Sequence, residues 1–193
     1  MRFIIGIIKN MKRKIVFKLT VLTFVSLLTD ACSPLTTSTI VGGQYEAKTN
    51  TTDYFVLPYG SVSLPGQWKK ERYNTVSHQQ WFINADSITT AIAFTHCNGY
   101  EFSKKGLNDF AFVKAYYEWD SKYLSERLKC NRTILVADSI NKYIIWQLSS
   151  DRLNNYFLFA CNNCNVHNYN ISTKKWSQEQ KVKFLQDLYL TKK

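Results

Sequence analysis

The sequence predicts an α+β fold, an antiparallel sheet flanked by a long central helix and a C-terminal amphipathic helix. Three observations carry this. Short runs rich in β-branched and aromatic residues lie on both sides of one long helical stretch. The runs after that stretch are separated by turns too short for crossover helices, so neighbours must pair antiparallel. The chain then approaches its end through a stretch with a helix-start signature.

In order, "YFVLPYGSVSLP" (54–65) reads as short apolar runs punctuated by Pro58 and Pro65, a first strand and a turn leading to Trp68. "QQWFIN" (79–84) and "ITTAIAFTH" (88–96) read as strands joined by the tight link "ADS", with Ile88, Ile92 and Phe94 on one parity. Residues 106–129 place Leu107, Phe110, Val113, Tyr117, Tyr123, Leu124 and Leu128 near a helical period. Four strands follow at 132–138, 142–150, 154–161 and 164–172, separated by polar turns containing Asn or Asp. In residues 176–190, Ser177 and Gln180 form a capping-box pattern, and Val182, Leu185, Leu188 and Tyr189 make the apolar face.

Ahead of this domain the chain is built differently. Arg2, Lys9, Lys12, Arg13 and Lys14 precede an apolar run to Leu28, a charged region followed by a hydrophobic one. Its uncharged core from Leu19 to Leu28 is half the roughly 20 residues a membrane-spanning helix needs. Met11 opens a more compact version of the same signal. "LLTDAC" (27–32) resembles the lipobox of bacterial lipoproteins, carried by Leu28, Ala31 and Cys32, with Asp30 a departure from it. The resemblance implies a signal peptide over 1–31, removed to leave a lipidated Cys32. Several acyl chains on one residue give stable anchoring. By the same resemblance, Ser33 directly after the anchor implies sorting to the outer membrane, and a tether without an acidic run implies its periplasmic face. Residues 33–53, with six threonines and a Gly-Gly pair, read as a flexible tether, leaving 54–193 as one globular domain.

The formal charge of +11 falls to +6 without the leader, since 19 basic and 13 acidic residues remain from Cys32 onward. The basic residues are scattered as pairs such as Lys69-Lys70 and Lys174-Lys175, with no basic block interleaved with aromatics, so nucleic acid is not an expected partner. The order of elements, with Trp68 after a Pro-Gly turn, a long central helix, the strand "NKYIIWQL" and a closing amphipathic helix, resembles the PsbP-like α/β/α sandwich over about residues 54–190. That resemblance implies accessory or binding roles and transfers no functional residue.

Four cysteines remain if Cys32 is lipidated: Cys97, Cys130, Cys161 and Cys164. In an exported chain they are disulfide candidates with three full pairings, of which Cys97–Cys130 and Cys161–Cys164 is preferred. Cys161, Cys164 and His167, spaced C-x2-C-x2-H with His96 and Cys97 as further donors, form the alternative, a thiol-redox or metal site. The C-x-x-C lies between strands, away from the helix start that would activate a thiol. His78, His96 and His167 are the only imidazoles, and there is no nucleophile elbow, H-E-x-x-H helix or phosphate loop. Glu118, Asp120 and Glu126 read as exposed helix carboxylates. Asn50, Asn131 and Asn170 begin glycosylation sequons that would act only in a eukaryotic secretory route. The expectation is a non-enzymatic envelope lipoprotein without a cofactor, binding an envelope protein and including among its forms a toxin-neutralising immunity protein.

Overall fold

The computed structural model describes residues 38–104 and 106–191. Its elements are β1 (Ile40–Gly42), β2 (Tyr45–Glu46), β3 (Thr51–Leu57), β4 (Gly60–Pro65), β5 (Trp68–Asn74), β6 (Gln79–Asn84), β7 (Thr89–His96), a 3₁₀ turn (Cys97–Gly99), α1 (Asp109–Leu128), β8 (Asn131–Asp138), β9 (Tyr143–Ser149), β10 (Asn154–Asn162), β11 (Asn165–Ser172) and α2 (Gln178–Leu190). The predicted fold class holds. The signal peptide and Cys32 lie outside the described residues.

Alternation along the central strands builds the core. A seven-stranded antiparallel sheet runs β5-β6-β7-β11-β10-β9-β8. Tyr143 and Ile145 on β9, and Tyr156, Leu158 and Ala160 on β10, point to one face. Ile144, Trp146 and Leu148, with Phe157, Phe159 and Cys161, point to the other. A strand exposes successive side chains to opposite faces, so both sides are apolar only if both are covered. The first face is covered by α2 and by β3–β4 of a small four-stranded sheet, through Phe184, Leu185, Leu188, Val62 and Leu64. Phe112, Val113, Tyr116 and Tyr117 of α1 cover part of the second.

The helices start where their sequences cap them. Asn108 Oδ1 accepts the Ala111 amide to open α1, and Lys129 closes it in the left-handed conformation at φ 52°. Ser177 and Gln180 form the expected reciprocal capping box on α2. Its buried face is Lys181, Phe184, Leu185, Leu188 and Tyr189, and Val182 is only half-buried. Hairpin turns use the same chemistry: Asp138 accepts the Ile140 and Asn141 amides between β8 and β9, and Asn74 accepts those of Val76 and Ser77 between β5 and β6. Gly60 lies so close to the Phe94 ring that any side chain there would displace it, which seats β4 against the main sheet.

Three expectations are corrected. β1 and β2 fall within the stretch read as a tether, and the compact unit begins at Thr39, not at residue 54. These short strands pair along β3, which supplies a template their own sequence does not advertise. Secondly, β5 escaped notice because Lys69, Lys70, Glu71 and Arg72 are exposed; it is an edge strand, where charge discourages further pairing. Thirdly, Leu107, Tyr123 and Leu128 are exposed, while the helix buries Phe112 and Tyr116 instead. No described helix is long and apolar enough to cross a membrane.

Tyr54 sits between the rings of Phe82 and Phe94, and its hydroxyl is buried with no hydrogen-bond partner. Burial, with a smaller contribution from Tyr73, pushes its pKa up to about 12. A hydroxyl desolvated without a partner is a cost that phenylalanine lacks. Tyr54→Phe is expected to raise unfolding stability by about 1 kcal/mol in urea denaturation; a loss of stability would show that the hydroxyl makes a bond in solution.

Candidate functional site

The β10–β11 hairpin fixes where α1 lies. Asn163 and Cys164 both take positive φ, 49° and 64°, as the central residues of a two-residue hairpin turn. Their amides donate to Asp109, the first residue of α1, and Lys142 Nζ donates to the same carboxylate at 2.7 Å. Burial raises the pKa of Asp109, but Lys142 and the two amides outweigh it and hold the carboxyl below its usual range.

From that anchor α1 packs on β8, β9 and β10. On this face β5, β6 and β7 have no helix over them among the described residues. Ala91 and Ala93 of β7 present only methyl groups there. The result is a groove of about 960 Å³. Its floor includes Gln79, Trp81, Asn168, Asn170, Asn155, Phe157 and Leu148. Tyr116, Asp120, Leu124 and Arg127 of α1 form one wall, and Tyr73 and His78 of the β5–β6 hairpin contribute to the other. The wall is stiffened by an aromatic cluster: Tyr100 and Phe102, from the loop after the 3₁₀ turn, pack on Phe112, Tyr116 and Trp119. Tyr116 in turn stacks on Phe159 with ring centroids 4.1 Å apart.

The groove is polar at its deepest. Asn168 Nδ2 donates to the Tyr116 hydroxyl at 2.8 Å, and Gln79 Nε2 lies 3.5 Å from Asn168 Oδ1. Asn170 is 2% exposed and its Nδ2 donates to the Tyr156 carbonyl at 3.2 Å. The buried Oδ1 atoms of Asn170 and Asn155 have no partner. Asp120 is half-buried with no hydrogen bond or ion pair among the described residues, and burial pushes its pKa up to about 6. Burial likewise raises Tyr116 well above the ordinary phenol value.

The cysteines pair differently from the expectation. Cys97 is bonded to Cys164, while Cys130 and Cys161 are free. Register explains it: Asn165 faces His96 across β11 and β7, and the Cys97 amide donates to the Cys164 carbonyl, so the next pair is two cysteines with Cα atoms 5.0 Å apart. Cys130 begins near β8, four sheet positions from β7, too far to reach Cys97. Cys161 faces Val166 inside the ladder, its thiol 3.5 Å from Asp109 Oδ1, and burial together with that charge pushes its pKa up to about 12. Such a thiol stays protonated and unreactive.

The alternative set of Cys161, Cys164 and His167 is not assembled. Cys161 packs on the α1 face, whereas His167 points to the opposite face against Phe94, Tyr169 and Tyr189. The structure instead gathers His96, Cys97 and Cys164, with ligand atoms within 4.8 Å of one another. Two of these are the bonded sulfurs, which offer no thiolate unless reduced. His96 Nδ1 accepts the Asn98 amide, and His78 Nδ1 meets the exposed Tyr73 hydroxyl.

Of the helix carboxylates, Glu118 is exposed and pairs with Arg132 at 2.9 Å, as a surface residue should. Asp120 is not exposed as expected; it turns into the groove. Among the groove's asparagines, Asn170 stands out in the sequence only as a sequon, although β11 carries a further signal. Asn168 and Asn170 alternate on one face of a central strand where apolar residues are the norm.

No protein-family model matches the chain, and no curated protein does. Among solved structures, the chain is similar to the solution structure of cyanobacterial PsbP (CyanoP) from Synechocystis sp. PCC 6803, over 84% of this chain and 95% of that one, at 8% identity and a TM-score of 0.48. No residue role or activity is taken from that likeness.

Two outcomes follow from the site. The Cys97–Cys164 bond spans 67 residues, and closing a loop of that length in the unfolded chain is worth about 4 kcal/mol. Cys97→Ser with Cys164→Ser should lose about that much in urea denaturation; a loss below ~1 kcal/mol would mean the unfolded chain does not feel the closure. For Asp120, the raised folded pKa means the stabilising state is the protonated one, present below the ordinary carboxylate value and lost as pH rises through about 6. Asp120→Asn should therefore match the wild type at pH 3.5 and exceed it by about 2 kcal/mol at pH 8.

Proposed function

We propose that the protein is a non-enzymatic binding protein of the cell envelope, lipid-anchored through Cys32 at the periplasmic face of the outer membrane, with its ligand held in the groove beside α1. One observation carries the binding role. Asn170, almost wholly buried, lines a groove of about 960 Å³ and carries a side-chain acceptor with no partner. Buried polar atoms are nearly always satisfied, and an exception in a cavity of ligand size marks a place where a partner completes the bonding. The surrounding rings supply apolar contact, while the unpaired acceptors would fix orientation. The leader and the Cys32 motif support the anchoring.

Among the described residues the hydroxyl–imidazole contact in the groove lining is that of Tyr73 with His78, at 3.1 Å. His78 is bound to Tyr73 at the rim, and the buried tyrosine hydroxyls are held in their protonated form. A toxin-neutralising role is the form of this reading in which the occupant is a segment of another protein.

The test uses the five tryptophans as reporters. Trp81 and Trp119 line the groove, whereas Trp68, Trp146 and Trp176 belong to the core or pack against it. In a screen of amines, sugars, organic acids, lipids and peptides by nitrogen-15 correlation spectra, a ligand should shift the Trp81 and Trp119 indole signals and leave the other three in place. If no class of compound moves that pair selectively, the groove is not a ligand seat.

A further inference from the structure

The buried side-chain atoms of the groove that lack a partner are both acceptors, while three of its donors are already engaged. Asn168 gives its Nδ2 to Tyr116, Asn170 gives its own to the Tyr156 carbonyl, and Trp119 gives its indole N–H to Glu101. What remains is the Oδ1 of Asn170, the Oδ1 of Asn155 and the carboxylate of Asp120. The bond from Asn170 Nδ2 to a backbone carbonyl fixes Oδ1 as the amide atom left without a partner.

These three acceptors belong together by register. Asn170 faces Phe157 across β10 and β11, so Asn155 is its diagonal neighbour on the same face. Tyr116 of α1 touches Asn168 of β11. Both elements run in the same direction from the shared anchor at Asp109, Asn163 and Cys164. One step of four residues along the helix, from Tyr116 to Asp120, advances about 6 Å. One step of two residues along the strand, from Asn168 to Asn170, advances about 7 Å. Asp120 is therefore carried to Asn170 as Tyr116 is to Asn168.

Resting on the groove as the ligand seat, we propose that its occupant is an organic ammonium ion, an alkyl primary amine or polyamine. Its N–H groups donate to Asp120, Asn170 and Asn155, and its carbon chain lies on Phe157, Leu148 and Leu124. An ammonium brings three donors and no acceptor, which matches these three acceptors in kind and number. In a site partly withdrawn from water, an uncompensated carboxylate also attracts a cation more strongly than on the surface. The other charged or titratable groups lining this space are Arg127, the imidazoles of His78 and His96, and the phenols Tyr59, Tyr73, Tyr100, Tyr116 and Tyr123. Arg127 is engaged with Tyr123, donating to its hydroxyl and stacking near its ring, seven residues beyond Asp120 and so about 10 Å along the helix. Arg72 is held on Trp81, with 4.3 Å between its guanidinium carbon and the ring centroid. Neither cation neutralises Asp120.

The test is a titration with 1,5-diaminopentane, with 1,5-pentanediol as the uncharged chain of equal length, followed through the Asn155 and Asn170 side-chain amide signals and the Trp81 and Trp119 indoles. The diamine should shift them at pH 7.5, bind at least about tenfold tighter than the diol, and lose about tenfold in affinity with Asp120→Asn. Its affinity should also fall as pH drops from 7.5 to 5, as Asp120 takes up its proton. Equal binding of the diol, or an Asp120→Asn variant that binds the diamine unchanged, would overturn the ammonium assignment and leave the groove as a seat for neutral ligands. If the diamine does nothing while another class in the screen moves the same signals, the assignment again fails alone. Silence from every class removes both readings.

Discussion

The carboxylate of Asp109 is the constraint on which the rest of the architecture depends. It gathers two amides from the β10–β11 turn and the ammonium of Lys142 at the first residue of α1, where a negative charge also suits the helix N-terminus. The same turn carries Cys164, whose bond to Cys97 ties the end of β7 to it. Three elements thus meet at one point at one end of the sheet: the long helix, the central hairpin and β7. Once the helix starts there, its 1.5 Å rise and the strand's 3.3 Å rise decide which side chains meet further along. Tyr116 on Asn168 is the first consequence, and the position of Asp120 is the second.

The groove follows from a mismatch in width. One helix cannot cover a face of seven strands spaced about 4.8 Å apart. On the opposite face, α2 and the β3–β4 strands share the work, and that side is filled by Trp68, Phe82, Phe94 and Tyr169. On the α1 side, β7 and β11 carry alanine and amide side chains where bulky apolar groups would otherwise stand, and Trp81 of β6 is the large ring on the uncovered part. The polarity of β11 on that face is therefore what an uncovered central strand requires. It explains why Asn168 and Asn170 are tolerated; it does not explain why the Asn170 acceptor lacks a partner, and that residue of the account is what points to a ligand.

Much of this was legible in the sequence and some was not, for identifiable reasons. The strands from β6 to β11 were readable because β-branched and aromatic residues alternate between Asn- and Asp-containing turns, and the α2 capping box was readable because its signal is local. The edge strand β5 was hidden by its four charged residues, and β1 and β2 by dependence on a partner strand. The helix was legible and so was part of its buried face, through Val113 and Tyr117, but Leu107, Tyr123 and Leu128 are exposed where Phe112 and Tyr116 are buried. Phe112, Tyr116 and Trp119 turn toward a loop of aromatics, so apolar residues lie around most of α1 and no single stripe stands out. The cysteine pairing was beyond reach because it depends on a β7–β11 register between residues 67 apart. The C-x-x-C spacing drew attention to Cys161 and Cys164, yet their strand positions direct one to the helix and the other into the turn.

Asp120 brings stability and function into opposition. A carboxylate placed where burial raises its pKa to about 6 is partly disfavoured in its charged form at neutral pH, and an asparagine of the same shape carries no such cost. The neighbouring unpaired acceptors on Asn155 and Asn170 add to the same deficit, since each has given up water without gaining a partner. A protein selected for folding alone would lose these features by single substitutions, because stabilising replacements at such positions are readily available. Their concentration along one stretch of one groove is better accounted for by an occupant whose donors meet them. In that state the same groups turn from a cost into the source of selectivity, because a ligand without matching donors would leave them buried and unpaired.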